Sequence, residues 1–241
     1  MMKTWILIFS ILAGFANTAE AVTRFYLQST GTGAVNPAFA DGGWERDHGS
    51  YASRPMSTAK TNSALTTVTG VFGATATSQT RYHTFVSDTL DVAQAISGNF
   101  SMVIGKCAET STSGDAHLAY ALRVVTGAGV HRATLATSMT TISEFPLIAS
   151  AATRIIASVA ITGFSASAGD RLVLEIGIHG VTPANEVMQM RFGDPTGTSD
   201  FALTTALTTD LDPWAELSQT LTFGTPVAAS LHSLSLTGVG V

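Results

Sequence analysis

Charge is what this sequence has least of. Asp, Glu, Lys and Arg together make up 12% of its 241 residues, about half the share usual in globular domains. Hydrophobic residues reach 45%, which excludes an intrinsically disordered chain. The net charge is −5, and no cluster of Lys and Arg occurs, so the electrostatic footprint of a nucleic-acid binder is missing. The single cysteine, Cys107, excludes an intramolecular disulfide and a cysteine-built zinc site. It sits in the alternating stretch Phe100–Ala108, where a small buried thiol is expected rather than a nucleophile.

Catalytic patterns are missing as well. There is no G-x-S-x-G elbow and no phosphate-cradling glycine loop. The six histidines, His48, His83, His117, His131, His179 and His232, show neither the i, i+4 pair of a zincin nor an H-x-H pair, and strand histidines are the default reading. The carboxylates Glu45, Asp88, Glu109, Asp115, Glu144, Glu175 and Glu216 are scattered, with no pair marked as facing across a sugar-sized cleft. No enzyme, no cofactor and no metal is expected. Asp194, Asp200, Asp210 and Asp212 are hard oxygen ligands of the kind Ca²⁺ takes, but they do not follow the D-x-[DN]-x-[DN]-G pattern. Turn capping is their expected role.

Gly, Ser, Thr and Ala fill the space that charges leave. β-branched residues are abundant and favour a pleated surface. Short strand patterns recur at Arg24–Gln28, Ala64–Val71, Tyr82–Val86, Phe100–Ala108, His117–Thr126, His131–Thr137, Thr153–Ile161, Arg171–Ile178, Glu186–Phe192 and Leu217–Phe223. His117–Thr126 is apolar almost throughout, as a strand covered on both faces would be. About ten strands at this spacing predict an all-β fold, an antiparallel β-sandwich of jelly-roll-like type. Helical signals are weak. Leu90–Ala95 would make one turn, and Ser138–Ala152 has the best claim to a short helix, interrupted by Pro146.

Three turns have a physical reading. Gly127-Ala128-Gly129 joins two strand patterns as a hairpin. In Ala168-Gly169-Asp170 the glycine takes positive φ and the carboxylate caps the turn. Gly193-Asp194-Pro195-Thr196-Gly197 is a tight turn with Pro presetting φ. The candidate binding residues are aromatic. Trp44, in the Gly-rich loop Phe39–Arg46, and Tyr51 close behind it are candidates for stacking on a glycan. The competing role for Trp44, and for Trp214, is to plug the ends of the core. Asn99-Phe100-Ser101 is formally a glycosylation sequon.

Three segments organise the chain. Residues 1–21 read as a signal peptide: Lys3, an apolar run from Trp5 to Ala16, then Ala19-Glu20-Ala21 before Val22. An uncleaved anchor and a translation start near Val22 are the other readings. The run is short for a transmembrane helix, and no later segment qualifies, so no membrane association is expected once the segment is removed. Residues 22–224 form one β-sandwich domain without a linker or a fixed-period repeat. Residues 225–241 hold no Lys, Arg, Asp or Glu and carry Leu231, Leu234 and Leu236 among small residues. They read either as a strand-donating arm or as a frayed terminus.

Four segments resemble a known family. They are Thr23–Leu27, Ala168–Gly177, Arg191–Pro195 and Asp212–Ser218. In this order they are similar to segments of virion-associated, minor structural proteins of tailed bacteriophages and prophages. The resemblance spans roughly residues 22–224 and rests on turn-and-strand motifs. It implies a non-catalytic structural or adsorption role in a virion, with copies of the chain or other virion proteins as partners. The leader and the tail depart from the family pattern, because a virion protein assembled in the cytoplasm has no use for a signal peptide. A secreted carbohydrate-binding or adhesive module, with a cell-surface glycan as partner, is the alternative that the leader and Trp44 motivate.

Overall fold

The computed structural model describes residues 22–48, 52–71, 78–110, 114–138, 143–181, 187–205 and 207–224. The leader, Tyr51 and the tail 225–241 lie outside the described residues. Fourteen strands, numbered in chain order, make up the described structure. The early ones are β1 (Thr23–Leu27), β2 (Arg46–Asp47), β3 (Arg54–Ser57), β4 (Ser63–Val71), β5 (Ser78–Thr89), β6 (Gln94–Ile96) and β7 (Asn99–Glu109). The later ones are β8 (Asp115–Val125), β9 (His131–Ser138), β10 (Ala152–Ala160), β11 (Phe164–Ala166), β12 (Arg171–Val181), β13 (Val187–Asp194) and β14 (Trp214–Leu217).

Eight long strands define the architecture. They pair in the orders β4-β13-β7-β10 and β5-β12-β8-β9. Counted along the chain among these eight, the orders are first-eighth-third-sixth and second-seventh-fourth-fifth, the strand order of a jelly roll. All pairings within these two sheets are antiparallel. One side of the sandwich is bridged by short strands. β14 pairs with the first half of β7 and with β1, β1 pairs with β3, and β3 runs parallel to β5. The expected all-β sandwich is therefore the observed fold.

Alternation explains where the core lies. Leu172, Leu174, Ile176 and Ile178 of β12 point inward, with Leu118, Tyr120 and Leu122 of β8 beside them. Phe100, Met102 and Ile104 of β7 and Met188, Met190 and Phe192 of β13 face them from the other sheet. Each such side chain contributes about 1.5–3 kcal/mol when withdrawn from water. The odd-numbered positions of β8 and β12 are also covered. Val125 and Val173 pack with Val35, while Ala119 and Ala121 pack with Trp44 and Phe39. The segment that follows β1 thus lies across the outer face of this sheet, and β8 is apolar on both faces for that reason. Residues 201–205 and 207–214 cover the other sheet in the same way, with Phe201, Leu207, Leu211 and Trp214 against Val103 and Ile155.

The predicted turns form as expected. Val125 and His131 are paired across the Gly127–Gly129 hairpin, with Gly129 at φ 87°. Gly169 sits at φ 86°, and the Asp170 carboxylate accepts the Ser167 N–H at 2.8 Å. The helical expectations fail. Gln94–Ile96 is a strand paired with β11, and the described part of Ser138–Ala152 holds only a 3-10 turn at Ile148–Ser150. There Phe145 N bonds Ala116 O and Glu109 N bonds Pro146 O, so neighbouring strands take the backbone groups a helix would use. The last pattern, Leu217–Phe223, is displaced: the strand is Trp214–Leu217.

His83 makes this core sensitive to acid. It is 4% exposed on β5 and meets the rings of Phe85 and Phe192 at 6.0 and 4.6 Å. Burial, helped by the positive charge of Arg54 and by His48, pushes its pKa down to about 3. The unfolded chain, with an ordinary histidine near 6.5, binds the proton more readily. Stability is therefore full above about pH 6.5 and falls as pH drops toward 3. His83→Leu is expected to flatten the loss of Tm between pH 7 and pH 5, a window in which most carboxylates stay ionised, as followed by thermal melts.

Candidate functional site

The strongest polar arrangement is a buried ion cluster on the outer face of β5, β12 and β8. Glu175 faces Thr84 of β5 and Ala121 of β8 in register. Arg81 lies opposite Gly177, and Arg123 lies opposite Val173. Both arginines are therefore two residues off the Glu175 rung, the diagonal spacing that long side chains bridge on one face of a sheet. Arg81 Nη1 donates to Glu175 Oε1 at 2.6 Å, and Arg123 Nη2 donates to the same oxygen at 2.5 Å. The other oxygen, Oε2, accepts Trp44 Nε1–H at 2.9 Å. Glu175 and Arg123 have no exposure at all.

The same arginines hold the covering segment. Arg81 Nη2 donates to Asp47 at 2.8 Å and Nη1 to Pro37 O at 3.3 Å, and Arg123 Nη2 donates to Ala38 O at 3.2 Å. Gly177 makes room for the indole, since a Cβ there would come within 2.7 Å of Trp44 Cζ3. Trp44 is 5% exposed. Its ring is part of the protein interior and presents no open face to a sugar, so the core role applies and stacking on a glycan does not. Its reason for burial is the Glu175 carboxylate, which needs the indole N–H as a donor.

A second ionic network ties the loops near β1. Arg24 pairs with Asp200 at 2.7 Å and with Glu216 at 2.7 Å, and its guanidinium lies 4.1 Å from the Trp214 ring. Lys60 pairs with Asp200 at 2.9 Å and also with Asp212. Burial alone would raise the Asp200 pKa, but hydrogen bonds from Lys60, Arg24 and Tyr26 outweigh it and hold the carboxyl below its usual value. Burial would likewise lower Lys60, yet bonds to Asp212 and Asp200 push it to about 12. Asp210 is bonded by Lys106 and Arg191, and Asp194 accepts Thr61 N–H. Each of the four loop aspartates thus has a partner, three of them cationic. Among the described residues no group of three metal-ligating side chains comes together.

An open cleft of about 530 Å³ lies between β9 and β10. Tyr120, Thr137, Ser138, Arg154, Ile156 and Val159 are among its lining residues. Among the described residues the Tyr120 hydroxyl has no hydrogen-bond partner, and burial raises its pKa. Arg154 is spent on the backbone, donating to Ser143 O at 3.1 Å, Thr153 O at 3.0 Å and Glu144 O. Among the described lining residues there is no carboxylate or imidazole.

The remaining sequence candidates are dispersed. His117 Nε2 lies 2.7 Å from Asp115, and its ring is 6.3 Å from that of His179. His48 stacks on Tyr82 at 4.6 Å. Asn99 is exposed at the start of β7. Cys107 is fully buried, and burial pushes its thiol up to about 12. The sequence did contain a signal for the Glu175 cluster. Leu172–Ile178 and His117–Thr126 are apolar runs, each interrupted by one full charge, Glu175 and Arg123. Opposite charges inside two runs that both read as buried strands are candidates for one another.

No family model matches this chain, and no curated protein does. Two crystal structures of a CocE/NonD family hydrolase from Staphylococcus aureus are similar in part, with TM-scores of 0.28 and 0.26 at 11% and 10% identity. The match covers 83% of this chain in both cases, and this chain spans 34% and 35% of theirs. A likeness at that level carries nothing about activity.

Two outcomes test this description. Glu175→Ala leaves two buried arginines without their shared carboxylate, and a loss of about 3–5 kcal/mol is expected in denaturant unfolding. Cys107 is expected to resist alkylation in the native protein at pH 8 and to react once the chain is unfolded, as read by intact mass.

Proposed function

We propose that this chain is a non-catalytic structural or adsorption component of a phage virion that packs against copies of itself or other virion proteins. The observation that carries this reading is the jelly-roll strand order, β4-β13-β7-β10 over β5-β12-β8-β9. Viral capsid domains use that architecture, as do lectins and cupins. The low charge supports the same reading, because a chain with 12% charged residues suits an assembly in which little surface meets water. The similarity of four turn-and-strand segments to virion-associated proteins points the same way.

A secreted carbohydrate-binding module is the second reading, favoured by the signal-like leader and by the use of jelly rolls in lectins. In that case sugar would meet residues other than Trp44, whose ring is enclosed.

Mass spectrometry of purified particles decides between them. Peptides from residues 22–224 are expected in the particle at stoichiometric amount. Their absence from particles, together with a mature N-terminus at Val22 in the culture medium, would replace the virion reading with the secreted one.

A further inference from the structure

A two-sheet sandwich has four outer strands, and here they are treated differently. The outer edge of β5 is occupied by β2 and β3. β9 carries His131 and Arg132, and Leu135 O on it accepts Thr162 N–H. β10 carries Arg154, and Thr153 N–H on it is bonded to Leu207 O. β4 differs from all three. It pairs with β13 along one side, and among the described residues no strand pairs with its other side.

Monomeric proteins blunt such an edge with a charge, a proline or a bulge. β4 carries no charge and no proline, and its one register shift lies at its start, between Ser63 and Thr66. Residues 61–80 contain no Lys, Arg, Asp, Glu, His or Pro. The ladder with β13 keeps one register from Val71↔Val187 to Thr66↔Phe192. The start of the strand is closed by Ser29, whose N–H donates to Ser63 Oγ at 2.6 Å and whose hydroxyl donates to Ala64 O. Among the described residues, that leaves the backbone from Thr66 to Val71 open. Lys106 and Arg191, which share a shallow hollow with Thr67, are neutralised by Asp210 at 3.0 and 2.7 Å.

We propose that the free edge of β4 pairs antiparallel with the same edge of a second copy, joining two β4-β13-β7-β10 sheets across a two-fold axis. A two-fold pairing of a strand with itself sets each side chain against the same short segment. Any charge in it would meet its own copy, and like charges across a ladder repel. An uncharged edge meets that requirement. Backbone N–H and C=O groups supply the affinity, as in strand addition generally. This rests on the part of the proposed function in which the chain packs against copies of itself, and not on the virion.

Sedimentation of the full 241-residue chain over a concentration series is the test. The wild type is expected to dimerise reversibly. Thr67 is exposed near the middle of the open edge, so Thr67→Lys and Thr67→Glu are each expected to weaken dimerisation about tenfold or more, with circular dichroism unchanged. An equimolar mixture of the two is expected to recover the dimer. Should either variant misfold, Thr66→Lys and Thr66→Glu repeat the test at the neighbouring exposed position. A wild type that stays monomeric overturns the inference, as does a mixture that fails to re-associate. Association that survives Thr67→Lys but is lost on removing residues 225–241 overturns it too, and assigns the contact to the tail. Each of these results leaves the particle mass spectrometry to decide the virion reading independently.

Discussion

A carboxylate without any access to water cannot stand alone, because several kcal/mol of lost hydration have to be offset by charge and hydrogen bonds. Glu175 is such a group, placed by its position in the otherwise apolar run Leu172–Ile178. Arg81 and Arg123 offset one oxygen and the Trp44 indole the other. In doing so they reach past the carboxylate to Pro37, Ala38 and Asp47. Residues 35–47 are thereby pinned across a sheet face that would otherwise expose Val125, Val173, Ala119 and Ala121. The apolar character of β8 on both faces makes sense only with that cover in place.

The scarcity of charge has a second consequence. Arg24, Lys60, Arg81, Lys106, Arg123, Arg132 and Arg191 all form ion pairs within the chain. Cations used this way hold loops to strands and do not form a basic patch. The surface left over is rich in Thr, Ser and Ala and marked by an uncharged strand edge.

Burial also sets the charge state of individual side chains. Two of the titratable side chains singled out in the sequence show this directly. Cys107 is held as a thiol by burial, and His83 is held neutral among phenylalanines.

Much of the fold was legible in the sequence because strand formation is a local property. Alternation with period two marked Phe100–Ala108, glycine with its neighbours marked the 127–129 and 168–170 turns, and an almost wholly apolar run marked β8 as covered on both faces. Strands as short as Arg46–Asp47 and Phe164–Ala166 left no such mark, because two or three residues show no period. Ser138–Ala152 was misread as helical because its backbone partners, Ala116 and Glu109, lie on other strands. The sequence by itself thus determined the class of secondary structure, most of the strands and the identity of the buried thiol. Tertiary structure alone decided the jelly-roll order, the meeting of Glu175 with two arginines and the burial of Trp44. These depend on which strands lie side by side, and that is set by contacts between residues up to 131 positions apart, beyond the reach of any local pattern.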